Sequence, residues 1–349
     1  DCLLSRGLGD VYKRQILYGP IVSPVVCGHA TNKTINYQAS SGGIITALCI
    51  HLLKNGLVDS ILQVRQSHKD PTRTEPHLSS TIEDVLECMG SRYAPCSLFE
   101  HLCEYLATGK RLAVVGKPCD IAALKQYMAV YPEKTCNILY TFSMMCMGLP
   151  SHKATLEMAE YLGVDFQNIK NIRYRGFGWP GKAVVESQDG TKKECTYIQS
   201  WGAILGRDTL FRCKLCPNGF GEFADISCGD AWYCKNGNPS FNNDEAGRSF
   251  IFIRSDKGKE LVEQAIADGA IVVEPYDMKE MPFIQKSQYQ RKVNIPIRYV
   301  LYRILVNPQF RLKGFRLIHL CKIAGVKSLI KDGRGFIGRW WRGYKGHKK

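Results

Sequence analysis

The sequence predicts an α/β protein: a mixed sheet core flanked by helices, with an inserted small antiparallel β part and a basic helical tail. Three observations lead there. Buried strand-like runs alternate with helical stretches over the first half, short alternating segments surround an Asp-Gly turn at 189–190, and cations crowd the residues from 291 onward. A chain of 349 residues that is 45% hydrophobic can bury one large core or two smaller ones.

Residues 1–15, "DCLLSRGLGDVYKRQ", agree poorly with the rest of the chain and read as translated sequencing adapter, a probable artefact. The alternative is a genuine frayed arm; either way Cys2 is set aside from every site. "SSGGIITALCIHLLKNG" opens with Ser and Gly, carries apolar residues at helical spacing over 44–53 and stops at Asn55-Gly56. "VDSILQVRQ" reads as a strand. "RLAVVGKPCDIAALKQYM" is a buried strand, a tight Gly-Lys-Pro-Cys turn and a helix, and "CNILYTFSMMCMG" is an apolar strand ending at Cys146. Beyond Lys170 the alternating segments predict a small antiparallel sheet. A strand at 249–254 and a helix at 257–268 come next. The expected parts are 16–150, 151–290 with the β-rich insertion and the Cys-x-x-Cys loop, and the amphipathic tail 291–349.

The net charge of +15 belongs to that tail, where sixteen Lys and Arg face one acid, Asp332. The preceding body is neutral. Fifteen cysteines, an odd number without a secretory leader, fit a reducing cytoplasm better than a disulfide framework. No apolar run approaches the roughly 18 residues that cross a bilayer. The expected location is cytoplasmic, with a peripheral place at the inner face of the membrane as an option for the tail. Nucleic acid is not expected, because the body carries no matching basic motif.

Four cysteines fall within "CKLCPNGFGEFADISCGDAWYC", residues 213–234, and two more stand at strand ends, Cys119 and Cys146. Such carboxyl ends collect ligands in open α/β sheets. Cys119 follows Pro118 at a helix start, where the partial positive charge favours thiolate. Cys213 and Cys216 have the spacing that lets two sulfurs reach one metal or cluster, and two distant cysteines can complete a tetrahedral set. The spacing alone fits zinc as well as iron and sulfide. Eight scattered histidines show no HExxH spacing, and His51, on an apolar helix, reads as a core residue.

"SSGGIITAL", "GSRYAP", "GKPCDIAAL", "RYRGFGWPG" and "RCKLCPNGFGEFADISCGDAW" occur in that order, and residues 25–290 resemble the beta-subunit family of coenzyme F-420 (F420) hydrogenases and dehydrogenases. The resemblance implies a flavoprotein with FAD and one 4Fe-4S cluster, exchanging electrons with F420 or another carrier. It implies cluster ligands Cys119, Cys146, Cys213 and Cys216, with Cys228 and Cys234 as bystanders. It marks 16–150 as the flavin- and cluster-binding part and implies flavin contacts at five places along the chain. Ser41, Gly42, Gly43 and Thr46 open a helix whose backbone N–H groups would meet a phosphate. Ser91, Arg92 and Tyr93 would add a cation and a stacking ring, and Gly116, Lys117 and Pro118 form the strand-to-helix turn. Arg175 and Trp179 would edge the ring system, and Asp225 and Asp230 would accept hydrogen bonds from ribose or backbone.

The implied function is an FAD- and 4Fe-4S-dependent oxidoreductase or electron-transfer subunit that couples flavin hydride chemistry to one-electron transfer. The redox partner would be ferredoxin, F420 or another subunit, and no side chain is assigned as nucleophile. Two alternatives from other classes are a noncatalytic zinc-stabilised scaffold and a thiol enzyme using Cys119. For the tail the open readings are contact with an anionic membrane surface, docking of an acidic redox partner, and a solvated, partly disordered segment.

Overall fold

A computed structural model describes residues 15–235, 238–241, 246–306 and 312–346; the adapter-like segment thus lies outside the described residues up to position 14. Thirteen strands are described: β1 (Val26–Ala30), β2 (Ser60–Gln66), β3 (Thr74–Ser79), β4 (Leu112–Gly116), β5 (Ile138–Met144), β6 (Ile169–Arg173), β7 (Lys182–Ser187), β8 (Lys192–Thr196), β9 (Ile226–Asp230), β10 (Cys234–Lys235), β11 (Asn238–Pro239), β12 (Ser249–Ile253) and β13 (Ile271–Pro275). Eight form one mixed sheet in the order β13-β1-β12-β9-β5-β4-β2-β3. Its centre, β9-β5-β4-β2, runs parallel, and both flanks are antiparallel. Every position of β4, "LAVVG", is buried, as a strand covered on both faces requires.

The predicted insertion is the antiparallel sheet β6-β7-β8. The segments 16–150 and 151–290 both feed the large sheet, since β1 lies between β12 and β13. The strand expected to reach Cys146 ends two residues earlier. There the Met145 N–H donates to the Cys228 carbonyl and the Cys146 N–H to the Gly219 carbonyl, which draws the chain off the β5 ladder.

Helix α1 (Lys33–Gln38) is capped by the Asn32 side chain. Helix α2 (Ile44–Lys54) starts after Gly43 and stops at Asn55, as the Asn-Gly signal predicts. Helix α3 (Pro118–Val130) begins with proline at a position that needs no N–H donor. Helix α4 (Asp256–Ala267) is capped by Ser255 Oγ, which accepts from the Gly258 N–H. On one face of the sheet Leu48, Leu52, Ile61, Phe142, Ile226, Ile251 and Leu261 form the largest core cluster; Leu62, Val114, Leu124 and Ile138 cover another part.

The tail is helical, and it is not wholly a tail. Helix α5 (Lys286–Val306) buries Arg291, Lys292, Val293, Asn294, Ile295 and Pro296 in the body. Helices α6 (Leu317–Ala324) and α7 (Val326–Gly346) pack back on α5. Arg298 forms a bidentate pair with Asp332 at 2.6 and 2.7 Å, and Phe336 is fully buried. The described part of 291–349 is therefore a docked helical unit, not a solvated extension.

Candidate functional site

A cavity of about 280 Å³ opens over the carboxyl ends of the parallel strands, between residues 115–117 after β4, 144–150 after β5 and 228–230 in β9. Parallel α/β sheets place ligand sites there because the loops diverge from a rigid floor. Ser41, Gly43, Thr46, Ser91, Arg92, Tyr93, Gly116, Lys117, Arg175 and Asp230 line it; Gly42, Pro118, Trp179 and Asp225 do not.

The loop before α2 is held by its neighbours. Ser249 Oγ accepts the Gly42 N–H at 2.9 Å, Asn36 Nδ2 donates to the Gly42 and Gly247 carbonyls, and Ser41 Oγ donates to the Arg248 carbonyl. A Cβ at Gly42 would lie 2.4 Å from the Gly28 carbonyl oxygen, so this glycine serves backbone packing and its N–H is already used. Gly43 has φ +75° and a Cβ there would lie 3.0 Å from Ile35 Cγ2. Valine at 43 would therefore disturb the turn itself. An anion at this wall would meet the first turn of α2, residues 44–46, which carries no side-chain cap.

Arg92 is likewise engaged. Its guanidinium donates to the Ile172 carbonyl at 2.8 Å and to Thr74 Oγ1 and the Arg73 carbonyl at 3.3 Å, and it lies 5.0 Å over the Tyr174 ring. Arg92 thus braces the cavity wall it lines. Tyr93 keeps an aromatic wall, 4.7 Å from the Trp201 ring centre.

Arg175 and Asp230 form the strongest polar unit at the cavity. Two bonds of 2.8 Å join them, with Arg175 buried between the rings of Tyr197 and Trp232. Burial alone would lower the Arg175 pKa, but Asp230 outweighs it and keeps the guanidinium protonated. Trp179 is not a cavity edge: it is buried, stacked 4.5 Å from Trp232, and its Nε1–H donates to Asp230 Oδ1 at 3.3 Å. Asp225 is also displaced from its expected place. It accepts from the Thr141 N–H and hydroxyl, Ser255 Oγ, Lys125 and Lys257, and so locks β5 to the loop before β9. Across the cavity Lys117 Nζ donates to Asp120 Oδ2 at 2.6 Å, and Asp120 offsets the burial that would otherwise lower the lysine pKa.

Cys146 lines the same cavity. It interacts electrostatically with Cys213 and Cys216, and Cys216 does so with Cys119, so the four thiols form one neighbourhood. The Leu149 N–H donates to Cys213 Sγ at 3.4 Å, and the Gly148 N–H serves Cys146. Burial pushes the Cys146 thiol up to about 12. Cys119 is raised too, by burial and then by Asp120, against the lowering expected of a helix start. Among the described residues no three His, Cys, Asp or Glu side chains close into a single-ion cage. Four soft sulfur donors with backbone N–H groups aimed at two of them fit an iron–sulfur cluster, whose irons take one thiolate each. Cys228, buried in β9, is also part of the cavity lining, and Cys234 is exposed.

Sequence reasoning missed the cations behind the thiols. Arg291 donates to the Cys146 and Met147 carbonyls, and Lys292 forms a buried ion pair with Glu222 while interacting with Cys216. The one signal was "RKVNIPI", a cation pair leading directly into an apolar run.

The sequence and the fold have counterparts among known proteins. The chain is 27% identical over 266 residues to the F420-dependent formate dehydrogenase subunit beta of Methanocaldococcus jannaschii, covering 74% of this chain and 64% of that one. It is 26% identical over 285 residues to the coenzyme F420 hydrogenase subunit beta of Methanococcus voltae, covering 76% and 90%. The fold matches a chain of the F420-reducing NiFe hydrogenase complex from Methanosarcina barkeri with a TM-score of 0.64 at 22% identity, over 84% of this chain and 97% of that one. Family models described as the N-terminal and C-terminal parts of the coenzyme F420 hydrogenase/dehydrogenase beta subunit match residues 25–103 and 109–279, and the chain belongs to that oxidoreductase-subunit family.

Proposed function

We propose that the protein is an FAD- and 4Fe-4S-dependent electron-transfer subunit that exchanges a hydride with a two-electron carrier and passes single electrons to a partner. The observation that carries this reading is Cys146, which belongs both to the cavity wall and to the four-thiol neighbourhood. A ring in the cavity and a cluster on the thiols would then be separated by little more than one side chain.

When bound, the flavin supplies hydride chemistry and the cluster supplies one-electron steps. The chain's own residues position and shield them. The first turn of α2 faces the cavity with backbone donors for a phosphate. Tyr93 offers a flat apolar face, and Lys117, held protonated by Asp120, keeps a positive charge at Nζ beside the ring site. Arg175 and Asp230 brace the cavity lining through their ion pair. Cys119, Cys146, Cys213 and Cys216 would hold the cluster. Four thiolates on one zinc stand about 3.8 Å apart, given a Zn–S bond of about 2.3 Å. A 4Fe-4S cluster, with one thiolate on each iron, would need these sulfurs farther apart than that.

The carrier is F420 in the relatives named above, and a ferredoxin or a second subunit would take the single electrons. Anaerobic purification tests the cofactors: about one flavin and about four irons per chain are expected, and colourless protein with stoichiometric zinc would make it a scaffold. Reduced F420, NADH, NADPH and reduced ferredoxin, offered in parallel to the oxidised protein, then identify the donor by flavin bleaching. Bleaching by none of them would remove the carrier assignment.

A further inference from the structure

Helix α7 is fixed to the body by one side only. Phe336 is buried beside the ring of Phe211, Gly333 lets the helix approach Ile297 and Leu301 of α5 closely, and Asp332 is tied to Arg298. On another side Val326, Ile330, Ile337 and Trp341 are 72%, 52%, 43% and 52% exposed. At about 100° per residue these four fall within an arc of about 60°. Lys327, Lys331, Arg334 and Arg342 occupy the adjacent arc and are also exposed. An apolar stripe bordered by cations is thus presented outward by a docked helix.

We propose that this face of α7 rests on an anionic lipid surface, with the stripe at the acyl boundary and the cations among the headgroups. The reading is independent of the redox assignment. The charge is complementary: from residue 291 onward the sequence holds sixteen cations and one acid. Arg291, Lys292 and Arg298 are engaged within the fold, the acid is paired with Arg298, and Lys327, Lys331, Arg334 and Arg342 are exposed on this helix. Trp341 closes the stripe beside the cationic arc, with the Trp340 ring 6.3 Å from its own, and tryptophan settles at the headgroup depth of bilayers. No described helix is long and apolar enough to cross a membrane, so the helix lies along the surface. A protein partner fits less well, because interface cores are depleted in lysine and this stripe is narrow and closely bordered by it.

The test uses the full chain with its cofactors and two kinds of vesicle, phosphatidylcholine alone or mixed with phosphatidylglycerol. Sedimentation with the anionic vesicles only, at low salt, is expected, and salt near 0.5 M should weaken it at least about tenfold as the Debye length shrinks. Changing Lys327, Lys331, Arg334 and Arg342 together to glutamine should weaken binding by at least about a hundredfold, and Ile330→Ser/Ile337→Ser/Trp341→Ser should abolish it. Iron and flavin content and circular dichroism check that each variant is folded. Quenching of tryptophan emission by bromine-labelled anionic lipid needs no variant. Wild-type protein that stays in the supernatant, or emission the brominated lipid does not quench, overturns the proposal. So does a stripe variant that binds as wild type but turns a dimer into a monomer, since the face would then join two copies of the chain.

Discussion

The two walls of the cavity are built on opposite plans. On the α2 side nearly every polar group already has a protein partner: Gly42 N–H on Ser249, Arg92 on two carbonyls, Arg175 on Asp230. On the thiol side the four thiols form one neighbourhood, and burial holds Cys119 and Cys146 protonated. The first wall is held together by protein contacts, apart from the uncapped first turn of α2. On the second, burial raises the Cys119 and Cys146 thiols, and ligation of a metal by the thiolates would offset that cost. The difference teaches that loss of flavin and loss of iron should have unlike structural consequences: the α2 wall keeps its shape when empty, and the thiol loop does not.

The largest effect should come from the thiol wall. Cys213→Ser or Cys216→Ser is expected to remove nearly all iron and to lower the melting temperature of the anaerobic protein, because a hard hydroxyl replaces thiolate poorly. Iron retained at wild-type levels in either variant would dissolve the contrast between the walls. Cys228→Ala should keep its iron, since that side chain lies in the sheet core.

Asp230→Asn tests the other wall. It leaves the buried Arg175 without its carboxylate and should cost about 3 kcal/mol in denaturant unfolding while iron content holds. Lys292→Met should cost about as much by stranding Glu222, and Lys292→Met/Glu222→Leu should recover most of it. A double variant no better than the single one would mean that the cations act on the cluster rather than on the fold.

Asp225 gives a smaller, pH-dependent effect. Burial alone would raise its pKa, but Lys125, Thr141, Lys257 and Ser255 outweigh this, and the folded carboxyl titrates below its ordinary value. A depressed folded pKa adds stability above the unfolded value and loses it as pH falls. The stability gap between wild type and Asp225→Asn should therefore be full at neutral pH and shrink below about pH 4. A gap unchanged down to about pH 2 would show that the asparagine acts through shape alone. Smallest of all, Cys234→Ser should alter stability by no more than about 0.5 kcal/mol and leave iron untouched, because the side chain is exposed.

Local signals carried much of the architecture. The Asn55-Gly56 stop, the Gly-Lys-Pro-Cys turn and the alternation around Asp189-Gly190 are written in neighbouring residues, and the structure obeys them. What local pattern cannot carry is the partner a side chain finds far along the chain. Arg92 and Trp179 were expected to face a ligand; their acceptors are at Ile172 and Asp230. Arg291 and Lys292 read as the start of a solvated tail, yet carbonyls near Cys146 and the Glu222 carboxylate draw them inside. In α7, by contrast, Lys327, Lys331, Arg334 and Arg342 remain exposed. Composition located the charge and long-range pairing decided its exposure.

The strand order also bears on how the gene can be divided. β1 comes from the region of the N-terminal family model but is hydrogen-bonded on both edges by strands from the C-terminal one or its end, β12 and β13. Made alone, residues 25–103 would expose both edges of β1, and the remainder would carry β12 and β13 with a gap between them, each an open template for aggregation. The two halves form one cooperative unit, so separately cloned pieces should be insoluble singly and rescue one another only when made together.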